Sequence, residues 1–227
     1  MIHLPRCVVG ILFAAAVSPV AAGELRGTGD LGIVVERASG SVVVVDTSKH
    51  TILGRVQGLG DFSHASAVFS RDQRFAYLFG RDGGLSKIDI LAHTIVKRVL
   101  QAGNSVGGAI SDDGSLVAVS NYEPGGVRVF DAESLAQVAD IPALGSDGKL
   151  SKTVGLVDIP GRRFAYALYD AGEIWVADFS KGATPTITKL PGVGKLPYDG
   201  NVTPDGRHYL AGLFRSEERR VGKECRL

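Results

Sequence analysis

The chain has 227 residues, of which 44% are hydrophobic, 7% are aromatic and 30 are glycine. This much glycine, together with many Val, Ile and Ala residues, is typical of a turn-rich β protein of one or two domains. The formal charge of +1 gives no argument for a nucleic-acid-binding protein.

Residues 1–22 have the pattern of a cleavable secretory signal peptide. Arg6 is the positive charge, and Cys7–Val17 is an apolar stretch too short to span a membrane. Val20-Ala21-Ala22 is a small-residue cleavage site, so the mature chain is predicted to begin near Gly23, without a transmembrane segment. We therefore expect an exported, periplasmic protein.

From residue 23 to residue 214 the sequence repeats with a period near 45 residues. One marker lies where an inner apolar run meets a turn, with spacings of 41, 47 and 45 residues; its members are Ser70, Ser111, Asp158 and Thr203. The second marker closes the third run, with spacings of 43, 42 and 47 residues; its members are Asp46, Asp89, Asp131 and Asp178. Four short strands per unit at this period predict an all-β fold, the β-propeller.

The runs divide into three complete blades with a fragment at each end. The complete units cover roughly residues 63–99, 107–141 and 153–190. A partial unit precedes them, and the last unit begins at Tyr198 and breaks off at Phe214 after two strands. Because open sheet edges are a liability, a propeller closes into a ring. Residues 23–214 are therefore expected to form a partial propeller, about half of a longer one.

Residues 215–227 depart from the strand pattern and look non-native. The stretch RSEERRVGKEC resembles the translation of a sequencing-library adapter; the alternative is a charged, disordered tail. Both cysteines, Cys7 and Cys225, fall in the end segments, so the domain has no disulfide and no C-x-x-C-H motif. Without the end segments the chain has 19 basic and 21 acidic residues, a net charge of −2.

Propeller geometry brings two kinds of loop to one face. The first strand of a blade starts at the mouth of the central channel and the second strand returns to it. Connections into first strands and turns after second strands therefore share this face, called the rim below. The predicted rim residues are His64, Asn104, Ser105, Lys152, Tyr198, Arg37, Arg81, Tyr122, Glu123, Tyr169 and Asp170. This composition suits an anionic, flat, polar-edged ligand.

Turns between first and second strands lie on the opposite face. Their sequences, SRDQR, SDDGS, DIPGR and TPDGR, are rich in turn formers and indicate a structural role. We call this surface the far face.

His64 is the candidate metal ligand, and the alternative is a hydrogen-bonded rim histidine. Arg37 and Arg81 are candidates for clamping carboxylates, and the alternative is a pair of solvated turn arginines. The remaining histidines of the domain form no cluster in the sequence, so a multi-histidine structural metal site is not expected.

Tyr122, Tyr169 and Tyr198 either line a ligand pocket or pack beneath the turns. Asn121 precedes Tyr122 in the same turn and belongs to the candidate ligand-binding set. Trp175 lies in a third strand and is predicted to pack within its blade. No Ser-His-Asp order or paired-carboxylate spacing stands out, so no catalytic residue is predicted.

Several segments resemble the NirF family of periplasmic heme d1 biosynthesis proteins. They are GTGDLG, LGDFSHASAVFSRD, RFAYLFGRDGGLSKIDI, AGNSVGGAISDDG, AVSNYEPGGVRVFDAE and DAGEIWVADFS. More distantly, the chain is similar to the d1-haem propeller of the cytochrome cd1 nitrite reductases. The resemblance implies an eight-bladed propeller that holds a d1-type haem or its precursor. It also implies His64 as the proximal iron ligand and places Arg37 and Arg81 near positions that contact haem carboxylates. Lys152 is a further candidate for binding a carboxylate.

The resemblance implies a late tailoring step on the tetrapyrrole, a side-chain oxidation or dehydrogenation. A carrier that delivers heme d1 unchanged and a protein-interaction propeller are the alternatives. Nitrite reductase and other heme d1 biosynthesis proteins are the implied partners. The domain lacks the C-x-x-C-H motif of an electron-transfer cytochrome c domain, so we do not expect it to reduce nitrite.

Overall fold

In the computed structural model, the described residues are 28–215 together with the strand at 223–226. The regular secondary structure in these ranges consists of β-strands, which form five antiparallel sheets. No helix long and apolar enough to cross a membrane occurs in the same ranges. The predicted signal peptide at 1–22 lies outside the described residues, as does most of the predicted tail.

Each sheet is a meander whose strands pair in chain order, and each is called a blade. Blade A contains β1 (Leu31–Glu36), β2 (Ser41–Asp46) and β3 (Thr51–Val56). Blade B contains β4 (Ser66–Phe69), β5 (Phe75–Phe79), β6 (Gly84–Asp89) and β7 (Thr94–Leu100). Blade C contains β8 (Asn104–Ile110), β9 (Leu116–Glu123), β10 (Val127–Asp131) and β11 (Gln137–Ile141). Blade D contains β12 (Thr153–Ile159), β13 (Arg163–Leu168), β14 (Glu173–Asp178) and β15 (Thr186–Leu190). Blade E contains β16 (Lys195–Val202), β17 (His208–Arg215) and β18 (Lys223–Arg226).

The strands follow the predicted units. The three runs of the first unit are β1 to β3, and they correspond to the second, third and fourth strands of a complete blade, because β2 ends at the third-strand marker Asp46. The turn after β1, which contains Arg37, therefore belongs to the rim. The three complete units are the four-stranded blades B, C and D. The last unit has its two predicted strands, and β18 pairs with β17, where His208 lies opposite Arg226. β17 ends at Arg215, one residue beyond the predicted end of the domain.

The first strands of successive blades stand side by side, β4 next to β8, β8 next to β12, and β12 next to β16. Second and third strands are the most buried. β5 and β6 of blade B, for example, are almost entirely inside. Fourth strands such as β7 are largely exposed. This gradient is that of blades packed face to face around an axis.

The apolar core is divided into four buried clusters, each between two consecutive blades. Blades A and B share one, blades B and C a second, blades C and D a third, and blades D and E a fourth. Burial of apolar side chains between neighbouring sheets is the main force that stabilises such an array.

Polar contacts on the far face reinforce these joints. Asp112, in the β8–β9 turn of blade C, accepts hydrogen bonds from the backbone N–H groups of Gly161 and Arg162 in blade D, at 2.7 and 2.9 Å. Arg71 of blade B donates to the carbonyl oxygens of Ile110 and Ser111 in blade C, at 2.9 and 2.6 Å. The far-face turns therefore reverse the chain and also connect the blades.

A buried tyrosine and a buried lysine join blades B and C. The Tyr77 hydroxyl donates to the carbonyl oxygen of Ala132 at 2.7 Å, and Lys87 Nζ donates to the same oxygen at 3.0 Å. Tyr77 is 2% exposed. Burial, together with the nearby charges of Asp72 and Asp131, raises the pKa of Tyr77 to about 12, compared with an ordinary value of 10.0.

This shift predicts alkaline sensitivity. Between pH 10 and pH 12 the unfolded chain loses the tyrosine proton and the folded chain keeps it, so stability is full below pH 10 and falls as the pH rises to 12. The expected loss is up to ~3 kcal/mol. Urea unfolding at pH 9 and pH 11 measures it, and Tyr77→Phe should reduce the difference between the two pH values. An equal pH dependence in Tyr77→Phe would contradict the assignment.

Candidate functional site

The structure brings the predicted connections and turns together at the rim. The backbone N–H of Arg81, after β5, donates to the carbonyl oxygen of Asp61 in the connection into β4, at 2.8 Å. The N–H of Tyr169, after β13, donates to the carbonyl oxygen of Lys152 before β12, at 2.9 Å. In blades B and D, the turn after the second strand is thus joined to the connection into the first strand of the same blade.

His64 lies at a cavity of about 460 Å³ between the first strands of four blades. Ser66, Gly107, Gly155, Tyr198 and Asp199 also line this cavity. A second cavity, of about 480 Å³, opens toward the far face and shares Gly108 and Leu156 with the first. Both cavities lie along the first strands, on the side where a closed propeller has its central channel, and His64 lies at the rim end.

The imidazole of His64 has an unusual environment. Its Nδ1 atom is buried and has no hydrogen-bond partner in the described chain, and the same holds for the neighbouring Ser66 Oγ. Buried polar atoms are almost always paired, so an unpaired one needs a reason, and an absent ion or ligand is one such reason. In the described chain, Nδ1 of His64 thus lacks the hydrogen bond that the alternative interpretation expects, and the metal-ligand role stays a prediction.

Two arginines extend the rim over blades A and B. Arg37 is exposed and Arg81 is half-buried. Neither guanidinium has an ion pair or hydrogen bond within residues 28–215, whereas nearby Arg98 is paired with Asp82. The positive charge of Arg81 acts on Asp61, whose pKa is lowered chiefly by hydrogen bonds from Ser63. These two cations are free to bind an anionic group.

Unlike the two arginines, Lys152 contacts other side chains of the rim. Its Nζ lies 3.3 Å from Asp170 Oδ1, and both side chains are 44% exposed. The ammonium also lies 5.7 Å from the centre of the Tyr169 ring. An exposed ion pair of this kind contributes little free energy and can be exchanged for another anion.

Aromatic side chains cover the rim over blades C, D and E. The hydroxyls of Tyr122 and Tyr198 are 2.6 Å apart. The Tyr198 ring meets the rings of Tyr169 and Phe214 edge to face, at centroid distances of 5.8 and 4.8 Å. Burial and the hydrogen bond with Tyr198 raise the pKa of Tyr122 well above its ordinary value. The rim is therefore cationic on one side and aromatic on the other.

Phe214 is a site residue that the sequence interpretation missed. It is 64% exposed and completes the aromatic group through contacts with Tyr169 and Tyr198. The strand pattern could have identified Phe214 as a rim residue, because it lies near the rim end of the second strand β17. Tyr169 follows a second strand in the same way, and Tyr122 lies near the end of one.

Comparison with known proteins agrees with this architecture. The family model of the cytochrome D1 heme domain matches residues 26–224. This chain belongs to the cytochrome D1 heme domain family. The match extends over blades A to D and over β16 and β17 of blade E, and it ends within β18.

Within the cytochrome D1 heme domain family, the chain is similar to NirF of Stutzerimonas stutzeri, with 58% identity over 91% of this chain and 52% of that protein. It is similar to NirF of Pseudomonas aeruginosa, with 62% identity over 84% of this chain and 49% of that protein. The chain thus spans about half the length of the curated relatives it matches. The resemblance to NirF is confirmed.

A solved structure of dihydro-heme d1 dehydrogenase NirN in complex with DHE has the same fold. Its TM-score to this chain is 0.75 at 27% identity, over 86% of this chain and 43% of that one. The predicted all-β propeller of the d1 type is confirmed for this member of the cytochrome D1 heme domain family.

One predicted site residue lies elsewhere. Asn121 is fully buried, and its amide exchanges two hydrogen bonds with the Gln101 side chain, at 2.8 and 3.2 Å. Its backbone N–H donates to Thr153 Oγ1 at 3.0 Å. Through these hydrogen bonds, Asn121 connects blade C with blade D and with the segment that precedes blade C. Its side chain lies beneath the rim, so we do not include Asn121 in the ligand site.

No cluster of three or more His, Cys, Asp or Glu side chains able to hold a metal occurs in the part of the chain that the structure describes. A lone histidine suits a metal that arrives with its own equatorial ligands, as iron does in a haem.

Proposed function

We propose that this chain binds a d1-type haem or its precursor at the rim and acts in heme d1 biosynthesis. The observation that carries the proposal is the buried, unpaired Nδ1 of His64 at the mouth of the central channel. Two NirF proteins and a dihydro-heme d1 dehydrogenase in complex with DHE are the similar proteins that support it.

The described residues fit such a ligand. His64 supplies one imidazole for the iron, and Arg37, Arg81 and Lys152 supply cations for carboxylates. The channel is lined by glycines where a side chain would intrude; a Cβ at Gly107 would lie 3.2 Å from Ser66 Oγ. Tyr169, Tyr198 and Phe214 offer aromatic edges and faces to a flat ring.

In this proposal each residue has a defined task. His64 would hold the iron, Arg37 and Arg81 would orient the macrocycle through its carboxylates, and the aromatic residues would exclude water from the site. When bound, the iron tetrapyrrole supplies the redox-active centre. The side-chain oxidation or dehydrogenation expected from the resemblance stays a prediction, as do delivery of heme d1 and binding of nitrite reductase.

The proposal includes export to the periplasm. Its support is the signal-like pattern of residues 1–22, whose Cys7–Val17 stretch is too short to span a membrane. Sequencing of the mature N-terminus tests this part separately from haem binding.

The test is titration of the full chain with a d1-type haem, followed by absorption spectroscopy. His64→Ala should lose the axial-ligand band and bind at least about tenfold more weakly, because one iron ligand is removed. Added imidazole should restore the band. The matched control is His50→Ala, an exposed histidine in the β2–β3 turn.

The titration distinguishes the assignment of His64 from the proposed function as a whole. A His64→Ala spectrum identical to that of the wild type would refute the ligand assignment, and absence of haem binding by the wild type would refute the proposed function. Bound haem that is altered on incubation with an oxidant would favour an enzyme, and unaltered haem a carrier.

A further inference from the structure

Two buried polar atoms at the His64 cavity lack a partner. Nδ1 of His64 and Oγ of Ser66 are both buried, and neither has a hydrogen-bond partner within residues 28–215. Ser66 begins β4, two residues after His64, and both residues line the cavity of about 460 Å³. A buried polar atom without a partner costs free energy, so two such atoms on one cavity point to a common partner.

A glycine keeps the space beside Ser66 Oγ open. Gly107 of β8 faces this oxygen, and a Cβ built on Gly107 would lie 3.2 Å from Ser66 Oγ. No other atom of the described chain, apart from the neighbours of Gly107 in sequence, lies within 4 Å of that Cβ position. A hydrogen-bonding partner of Ser66 can therefore lie in this gap, which a side chain at position 107 would fill.

The wall of the cavity supplies further hydrogen-bonding groups. Three first strands have a β-bulge at this level, and a bulge leaves backbone groups outside the regular pairing of the sheet. The register shifts lie between Ser105 and Gly107 in β8, between Val154 and Val157 in β12, and between Pro197 and Gly200 in β16. A polar cavity of this volume has room for several water molecules, so water is available as the partner of the two buried atoms.

The chemistry of a metal-binding imidazole requires such a partner. A histidine that binds a metal through one ring nitrogen carries its proton on the other nitrogen. A hydrogen bond from that second nitrogen fixes the tautomer and the orientation of the ring. If Nε2 of His64 binds iron, Nδ1 becomes a donor that needs an acceptor.

We propose that one ordered water links Nδ1 of His64 to Oγ of Ser66, and that Ser66 is a positioning residue for His64. The water accepts a hydrogen bond from Nδ1–H and donates one to Ser66 Oγ, which leaves Nε2 for the iron. This inference rests on the proposed function and deepens it, because it assigns the group that orients the axial ligand.

The haem-free full chain tests the hydrogen bond directly. Nitrogen–proton correlation NMR of histidine-labelled protein at about pH 8.5, where histidine is neutral, measures the tautomer of each imidazole. His64→Ala identifies the His64 signals. Wild type should carry the His64 proton on Nδ1, and Ser66→Ala should shift the tautomer ratio toward Nε2–H by about twofold to tenfold, because one hydrogen bond is lost.

The loaded protein gives a second readout. Resonance Raman spectroscopy of the ferrous complex with a d1-type haem measures the iron–histidine stretch. Ser66→Ala should lower its frequency, because the imidazole becomes a weaker ligand, and should weaken haem binding about twofold to tenfold. Gly107→Ala fills the gap beside Ser66 Oγ and should cause the same changes, whereas Ser66→Thr keeps the hydroxyl and should resemble the wild type.

Ser86→Ala is the matched control. Ser86 Oγ is also buried without a partner among the described residues, but Ser86 lies in the third strand β6 and does not line the cavity. This variant should leave both the tautomer ratio and the iron–histidine stretch unchanged.

An unchanged tautomer ratio in Ser66→Ala would overturn the inference, and so would an unchanged stretch in the loaded protein. Equal changes in Ser66→Ala and Ser86→Ala would overturn it as well, because they would show a general loosening of blade B. Failure of the wild type to bind haem would instead refute the proposed function, and the tautomer ratio would still decide the role of Ser66.

Discussion

Replacing Gly155 with alanine is expected to lower the free energy of unfolding by about 3 kcal/mol and to weaken haem binding. Gly155 has a φ angle of +59°, and a Cβ there would lie 2.6 Å from the Tyr198 carbonyl oxygen and 2.7 Å from Tyr209 Oη. The left-handed backbone costs alanine about 1 kcal/mol, and the overlap forces β12 and β16 apart. Tyr198 would then move away from its partner Tyr122.

Urea unfolding and haem titration measure the two effects. Gly148→Ala is the matched control, because Gly148 has a φ angle of +76° with open space around its Cα. It should cost only about 1 kcal/mol, with haem affinity unchanged. If Gly155→Ala and Gly148→Ala behaved alike, the close approach of β12 to β16 would not matter.

Trp175→Ala should destabilise the protein by ~4 kcal/mol, the range expected for removal of a buried Trp. The indole is 2% exposed and belongs to the cluster between blades C and D. Its Nε1 donates to Glu173 Oε2 at 2.8 Å, and Lys189 Nζ lies 3.8 Å from the ring centre. The variant would leave a cavity and also take a donor from a carboxylate that is only 1% exposed.

A second variant keeps part of the aromatic packing. Trp175→Phe retains a buried six-membered ring and loses the five-membered ring with its N–H, so about 2 kcal/mol is expected. Thermal or urea unfolding of both variants at neutral pH provides the comparison. Wild-type stability in Trp175→Ala would contradict the packing role.

The fold was predictable because its signals are local. In blades A to D, the aspartate that closes the third strand accepts hydrogen bonds from backbone N–H groups two or three residues later. Asp89 Oδ1, for example, accepts from Leu91 and Ala92 at 2.9 and 3.0 Å. Each blade uses the same turn, so the marker recurs with the blade period. The rim residues followed from the same regularity.

The pairing of site residues was not predictable, because the partners are distant in the sequence. The sequence around Asn121 does not show that its side-chain amide is hydrogen-bonded to Gln101, in the connection before blade C. The contact of Tyr122 with Tyr198 and that of Arg71 with Asp158 span 76 and 87 positions. Such contacts depend on the angle between blades, which strand patterns do not encode.

Arg71 has a consequence for how the blades unfold. In an array of repeats each unit usually contacts only its neighbours, so stability is a sum of local terms. Arg71 of blade B reaches past blade C, to Asp158 of blade D, with Nη2 and Oδ2 at 3.1 Å. Opening of blade B therefore also withdraws an ion-pair partner from blade D, so the two blades are coupled beyond their nearest neighbours, by a small amount because the two side chains are 46% and 40% exposed.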